Sequence, residues 1–193
     1  MAQKLDQEPA LQGESAPLIR WARRVVAAVN ALIDAIGNVR SGTSDITTTL
    51  DGPAFSAYAG TSQTLSGGVE TVVAVDTASF DTAGAFNPLT FRFNPKVAGF
   101  YQVSGQAIVR AASMTAAIIF LQKNGTRHRR GMQIATSSYT DYLALEVNGL
   151  VQMNGTTDYL TMTVFVAGTA PITTYVSEPP LDCRLSAYLA RRA

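Results

Sequence analysis

The side chains of this chain that could do chemistry are few and scattered. Its one imidazole, His128, stands inside Thr-Arg-His-Arg-Arg. A histidine base needs an acceptor that orients its ring and a nucleophile within reach. Arg127, Arg129 and Arg130 crowd His128 with like charge, which disfavours its protonated form. No carboxylate neighbours it in sequence, and no nucleophile-elbow pattern accompanies it. Asp76, Asp81, Asp141 and Asp158 are too dispersed to form the alternating carboxylate loop that calcium takes. Cys183 is the only cysteine, so no intrachain disulfide can form. Its inward phase on the last strand marks a small core residue rather than a reactive thiol. These residues predict no enzyme, no metal and no cofactor.

Binding remains. Arg127-His128-Arg129-Arg130 is the densest charge cluster and follows the Asn124-Gly125 turn. It reads either as a solvated loop that keeps a sheet edge from sticking, or as a contact for an anionic surface such as a glycan, a teichoic acid or another protein. No exposed aromatics interleave with it, so nucleic acid is not the expected partner. A net charge of +1 gives no global steering. Asn124-Gly-Thr and Asn154-Gly-Thr match the glycosylation acceptor pattern, but as Asn-Gly pairs between apolar runs they are read as turns.

The elements that would carry these residues are mostly strands. Phe91–Gln106 gives an aromatic strand, a turn through Asn94-Pro95 and Ala98-Gly99, and a second strand. There Tyr101, Val103, Gly105, Ala107 and Val109 share one face, and Phe100, Gln102, Ser104, Gln106 and Ile108 the other. Ala54–Tyr58 reads as a strand, then Thr64–Val75 with a break at Gly67-Gly68, and Asp81–Pro88 as a turn region. Thr115–Lys123 pairs through Asn124-Gly125 with Thr126–Ile134. Tyr139–Leu150 alternates with Leu143, Leu145 and Val147 inward, and Asn148-Gly149 lies at its end. Asn154-Gly155 precedes Tyr159–Ala167, and the last strand, Cys183–Ala190, turns Cys183, Leu185, Ala187 and Leu189 to one side. So many short strands with regular turn signals imply a sandwich or jelly roll.

Several of these segments resemble the jelly-roll head of complement C1q and its tumour necrosis factor relatives. Ala54-Phe-Ser-Ala57 looks like that family's first strand, and Phe86-Asn87 with Phe91–Gln106 like its central strands. Leu150–Val164 looks like the pair that usually carries Gly-Asp, here stretched so that Asp158 follows Gly155 by three residues. Leu185-Ser-Ala-Tyr-Leu189 looks like the closing strand. The resemblance spans about residues 54–190. It implies a mainly β, ten-stranded antiparallel jelly-roll head assembled as a tight threefold homotrimer. Aromatics such as Tyr58, Tyr101 and Tyr188 then belong either to the core or to the threefold axis.

Ahead of the head (54–193) lie three other segments. Residues 1–15 are polar and aperiodic, an extended peptide in which Leu5 and Leu11 are the apolar anchors for a partner. Residues 16–37 read as a helix capped by Ser15, with Pro17 in its first turn and Gly37 at its end. Leu18, Ala22, Val25, Val29, Leu32 and Ile36 form a heptad seam, widened by Ile19, Val26 and Ile33. Such a helix packs on its own head, forms a three-stranded stalk, or docks on a larger assembly. Residues 38–53 are a Ser/Thr/Gly-rich linker. The N-terminus shows no apolar signal core, and no run approaches the ~18 apolar residues of a membrane span. A short peptide, a short helix and such a head resemble the fibre or spike proteins of tailed bacteriophages. That resemblance implies a virion protein held by its N-terminus on capsid or tail. The competing class is a bacterial C1q-like adhesin or glycan-binding module. Charged residues are 15% of the chain, against roughly 25% in an average domain. Burial of surface between subunits would account for the difference.

Overall fold

The computed structural model describes residues 20–21, 23–34, 52–179 and 181–193, with the side chains of 136–140 outside the description. The chain divides into two compact units at the Asp51–Gly52 boundary. In the first, residues 20–21 and 23–34 are helical. Four- and three-residue spacing sets Val25, Val29 and Leu32 on one side of this helix. Val25 and Leu32 are exposed, as is Trp21, and Val29 is half-buried. The other seam positions (Leu18, Ala22, Ile36) and the anchors Leu5 and Leu11 lie outside the described residues.

The second unit contains ten strands: β1 (Ala54–Tyr58), β2 (Thr64–Leu65), β3 (Glu70–Val72), β4 (Thr77–Asp81), β5 (Phe86–Asn87), β6 (Arg92–Phe93), β7 (Gly99–Lys123), β8 (Thr126–Met153), β9 (Leu160–Thr174) and β10 (Arg184–Arg192). Its frame is the β7–β8 hairpin, a ribbon folded across itself. The first part of β7, up to Ala111, pairs with β10 and with the returning part of β8 from Asp141 onward. The second part, from Met114, pairs with the outgoing part of β8 and with β9, whose ladder already begins at Val109. Registers shift between Ala111 and Ala116, where the ribbon turns from one layer into the other. One layer runs β4-β1-β10-β7-β8. In the other, β9 lies between β7 and the short strands β2, β3 and β6, with β5 outside β6. All pairs are antiparallel, which makes the head a jelly-roll sandwich.

Period two decides what fills it. Tyr101, Val103, Ala107, Val109, Leu145, Leu185 and Leu189 are buried, as their phase predicts, and Leu143 is half-buried. They face Ile119, Leu121, Met162 and Val164 of the second layer in one continuous core. A full burial of this kind is worth about 1.5–3 kcal/mol per side chain. Phe55 stacks on Phe93 with centroids 4.2 Å apart, tying β1 to β6 across the layers. The hairpin at Asn124-Gly125 has positive φ at both residues, 54° and 77°. That matches the right-handed twist of the paired strands and is why Asn-Gly is favoured there.

Four expectations change. Tyr101 is not an interface residue: its odd phase points it inward, edge-on to Phe93, and its hydroxyl donates to the Val97 carbonyl. The segments 115–123, 126–134 and 139–150 are not separate strands, because β7 and β8 run unbroken through the corner. Asn148-Gly149 is not a strand end but lies inside β8, opposite Ser104 and Val103. Residues Thr77–Asp81 form a strand outside the predicted set: its alternating apolar residues, Ala78 and Phe80, number only two and are exposed, and the strand is held by pairing with β1.

Candidate interaction surface

The outward face of the first layer follows from the same registers. Ala54, Tyr188, Gln102 and Leu150 stand side by side in one row across β1, β10, β7 and β8. Phe80, Ser56, Ser186, Ser104 and Asn148 make the adjoining row. Neither row holds a charged side chain. Ser56 and Ser186 share a hydrogen bond of 3.0 Å, so even these hydroxyls are satisfied within the sheet. Tyr188, Leu150 and Phe80 each leave about half of their surface open, at 55%, 51% and 51%. Charge begins one row further on at either side: at Arg191, opposite Phe100, and where Arg184 and Glu146 flank Gln106, with half-buried Tyr58 beyond Arg184. Of the candidate tyrosines, this face therefore gathers Tyr58 and Tyr188. Sequence reading missed Leu150 and Phe80. For Leu150 a signal existed: it is an apolar residue in the phase opposite to Leu143, Leu145 and Val147.

The basic cluster lies on the outgoing part of β8, an edge strand bonded on one side to β7. Its arginines are committed to the fold. Arg127 Nε lies 2.6 Å from Glu70 Oε2, and its guanidinium sits 4.4 Å above the Phe120 ring, with Arg130 at 5.7 Å. Between them they cover Phe120, which is only 2% exposed although it faces outward. Arg130 also donates to Gln133, 3.0 Å away. Arg129 donates to the Asn148 carbonyl at 3.1 Å, bridging the outgoing and returning parts of β8. His128 stays exposed. Glu70 also accepts from Gln122 and Thr163, each at 2.6 Å. Burial alone would raise its pKa, but the bonds from Thr163, Arg127 and Gln122, with the Arg127 charge, hold it below the ordinary value.

Two glycines let this edge close. A Cβ on Gly149 would lie 2.5 Å from Arg129 Nε. A Cβ on Gly131 would overlap the Glu146 carbonyl oxygen and stand 2.5 Å from Val147 Cβ. Neither position is a turn. Both are close approaches, where the missing side chain lets β8 pack on itself.

The stretched Gly-Asp motif has a structural task. Asp158 is paired with Lys123 at 2.8 Å and accepts from Asn124 Nδ2 and the Asn154 N–H. The Lys123 and Asn124 bonds outweigh desolvation and lower its pKa. Asn154 Oδ1 accepts the N–H groups of Thr156, Thr157 and Asp158, which makes this asparagine a turn residue. Cys183 is buried among β-strand backbone, and burial pushes its thiol up to about 11. Among the described residues no three His, Cys, Asp or Glu side chains gather as metal ligands. None of the described helix is long and apolar enough to cross a membrane.

No protein-family model matches this sequence, and no curated protein matches it either. Solved structures do match. The globular domain of zebrafish complement 1qA aligns with a TM-score of 0.52 at 16% identity, covering 74% of this chain and 99% of that one. The head has the C1q/TNF jelly-roll fold. Eiger TNF from S. frugiperda aligns with a TM-score of 0.53 at 16% identity, covering 74% and 94% of the two chains. Murine APRIL gives 0.51 at 12% identity, with 72% and 98% covered. At these identities the likeness of this head to its neighbours concerns fold alone.

Proposed function

We propose that this chain is a non-enzymatic structural protein of a tailed-bacteriophage particle, assembled as a homotrimer through the outer face of β4-β1-β10-β7-β8. Residues 1–15 anchor it to another virion protein of capsid or tail, the helix serves as stalk or collar, and the head projects. The observation that carries the assembly is the pair of uncharged rows around Tyr188 and Leu150. Interface cores are depleted of charge and enriched in aromatics, and a closed threefold ring repeats one such patch on every copy. The low charge content of the whole chain, 15%, supports the same reading. So does the exposed stripe of Val25 and Leu32, which a three-stranded coil would bury.

The test is the mass of the full chain in solution, with Tyr188→Arg beside it. The trimer reading expects three copies for the parent. The variant should shift toward monomer, because three guanidiniums would be desolvated together without partners. A parent that is monomeric at micromolar concentration would sink the assembly. A Tyr188→Arg trimer as stable as the parent would move the interface elsewhere.

A further inference from the structure

The fold creates a second feature at the opposite end of the head from where the chain enters it. Pro53 accepts the Leu189 N–H beside Gly99, at the base. From Gly99, β7 climbs to the corner at Ala111, roughly 40 Å away at about 3.3 Å per residue. At that corner lies a cavity of about 450 Å³, lined by Arg110, Ala111, Ala112, Asp141, Pro171 and Thr173. Its volume is in the range of small-molecule sites.

Two of these residues are charged. Among the described residues, Arg110 and Asp141 form no ion pair with each other and no side-chain hydrogen bond. Arg110 is nonetheless oriented. Its guanidinium carbon lies 5.0 Å from the centre of the Tyr142 ring, and Tyr142 packs on Tyr175 with centroids 4.0 Å apart. A guanidinium resting its face on an aromatic ring keeps its N–H edge available for a planar carboxylate. On the same lining, the Asp141 carboxylate can only accept, as from hydroxyl groups, and Thr173, the cross-strand neighbour of Arg110, can do either.

We propose that this distal cavity binds an acidic sugar, its carboxylate on Arg110 and its hydroxyls on Asp141 and Thr173. A simple carboxylate would use only one wall, and a neutral sugar would leave Arg110 unmatched. The proposal rests on the trimeric, outward-facing head of the preceding section for its biological sense: three such cavities at one tip would bind a polyvalent surface with avidity. The site itself needs one chain only.

The experiment titrates the full chain with glucuronic acid, N-acetylneuraminic acid, glucose and acetate, read by calorimetry and ligand-observed NMR. At least one sugar acid should bind, and glucose and acetate about tenfold more weakly or not at all. Arg110→Gln should weaken the sugar acid about tenfold or more, and Asp141→Asn severalfold. Arg92→Gln, an exposed arginine on β6 away from the cavity lining, should leave binding unchanged. Both cavity residues are exposed, so the variants should fold, and their melting curves check this. Absence of sugar-acid binding at about 10 mM overturns the proposal. So does binding that survives Arg110→Gln, and so does acetate or glucose binding equally well. Mass measured on the same samples separates the readings: a trimer without binding refutes the cavity alone, and a monomer that binds refutes the assembly alone.

Discussion

Replacing Gly131 by alanine tests whether the sandwich edge closes as described. The added methyl would overlap the Glu146 carbonyl oxygen, 2.5 Å from Val147 Cβ and 2.8 Å from Ile119 Cγ2. Nonbonded carbons settle at about 3.5–4.0 Å, so the outgoing and returning parts of β8 must part by roughly 1 Å. The nearest obstacle is backbone and cannot swing aside, which places the strain in the upper part of the ~1–3 kcal/mol typical of overpacking. Alanine also restricts the unfolded chain, which returns about 0.4–1 kcal/mol. The net loss is then about 1–2.5 kcal/mol. For a head of this size, about 3–4 °C per kcal/mol converts that into a Tm lower by about 3–10 °C. The assay is thermal unfolding by circular dichroism at one fixed protein concentration, since assembly makes Tm concentration-dependent. Gly60→Ala is the control, because its Cβ meets only the ends of Asp76 and Thr77, at 3.3 and 3.4 Å. If the two variants melt together, β8 does not pack on itself at Gly131 and the account of the edge is wrong.

Leu145→Ala, at a fully buried position, should lose ~2–5 kcal/mol by denaturant unfolding; a loss under 1 kcal/mol would mean the core is not closed there. Glu70→Gln should destabilise the head near neutral pH, where the half-buried carboxylate accepts from Thr163, Gln122 and Arg127. Because the folded Glu70 pKa is lowered, its contribution is present above the ordinary carboxylate pKa and fades as pH falls through the folded value. The gap between parent and variant should therefore shrink on acidification, and a gap that widens would refute the network. Deleting residues 2–15 should leave a trimer that no longer joins virions; normal occupancy on particles would show that the helix or head makes the attachment.

The fold was largely readable because period two survives wherever a strand has one wet face. Tyr101 to Val109 and Leu185 to Leu189 alternate cleanly, and the Asn124-Gly125 turn fixes the hairpin register. What was not readable depends on contacts distant in sequence. Nothing local distinguishes Gly149 as room for Arg129 from Gly149 as a turn residue. Glu70 becomes a hub only when β3 is laid across β9, next to Gln122 of β7. Tyr101 showed the limit of composition: an aromatic in a strand suits a core and an interface equally, and only its phase relative to Val103 decides. Arg110 and Asp141 lie 31 positions apart in sequence and meet only because β7 pairs with β8 at the corner.

The folded ribbon also bears on how the head comes apart. Two ordinary stacked sheets can separate, since each keeps its own hydrogen bonds. Here β7 and β8 belong to both layers, so neither layer can lose its partner without breaking the strands that hold the other together. Amide exchange should therefore show β7 amides near Val103 and near Ile119 released by the same global opening. A head built this way has no half-open state in which one sheet persists alone. The head is then either intact or fully unravelled, with nothing in between.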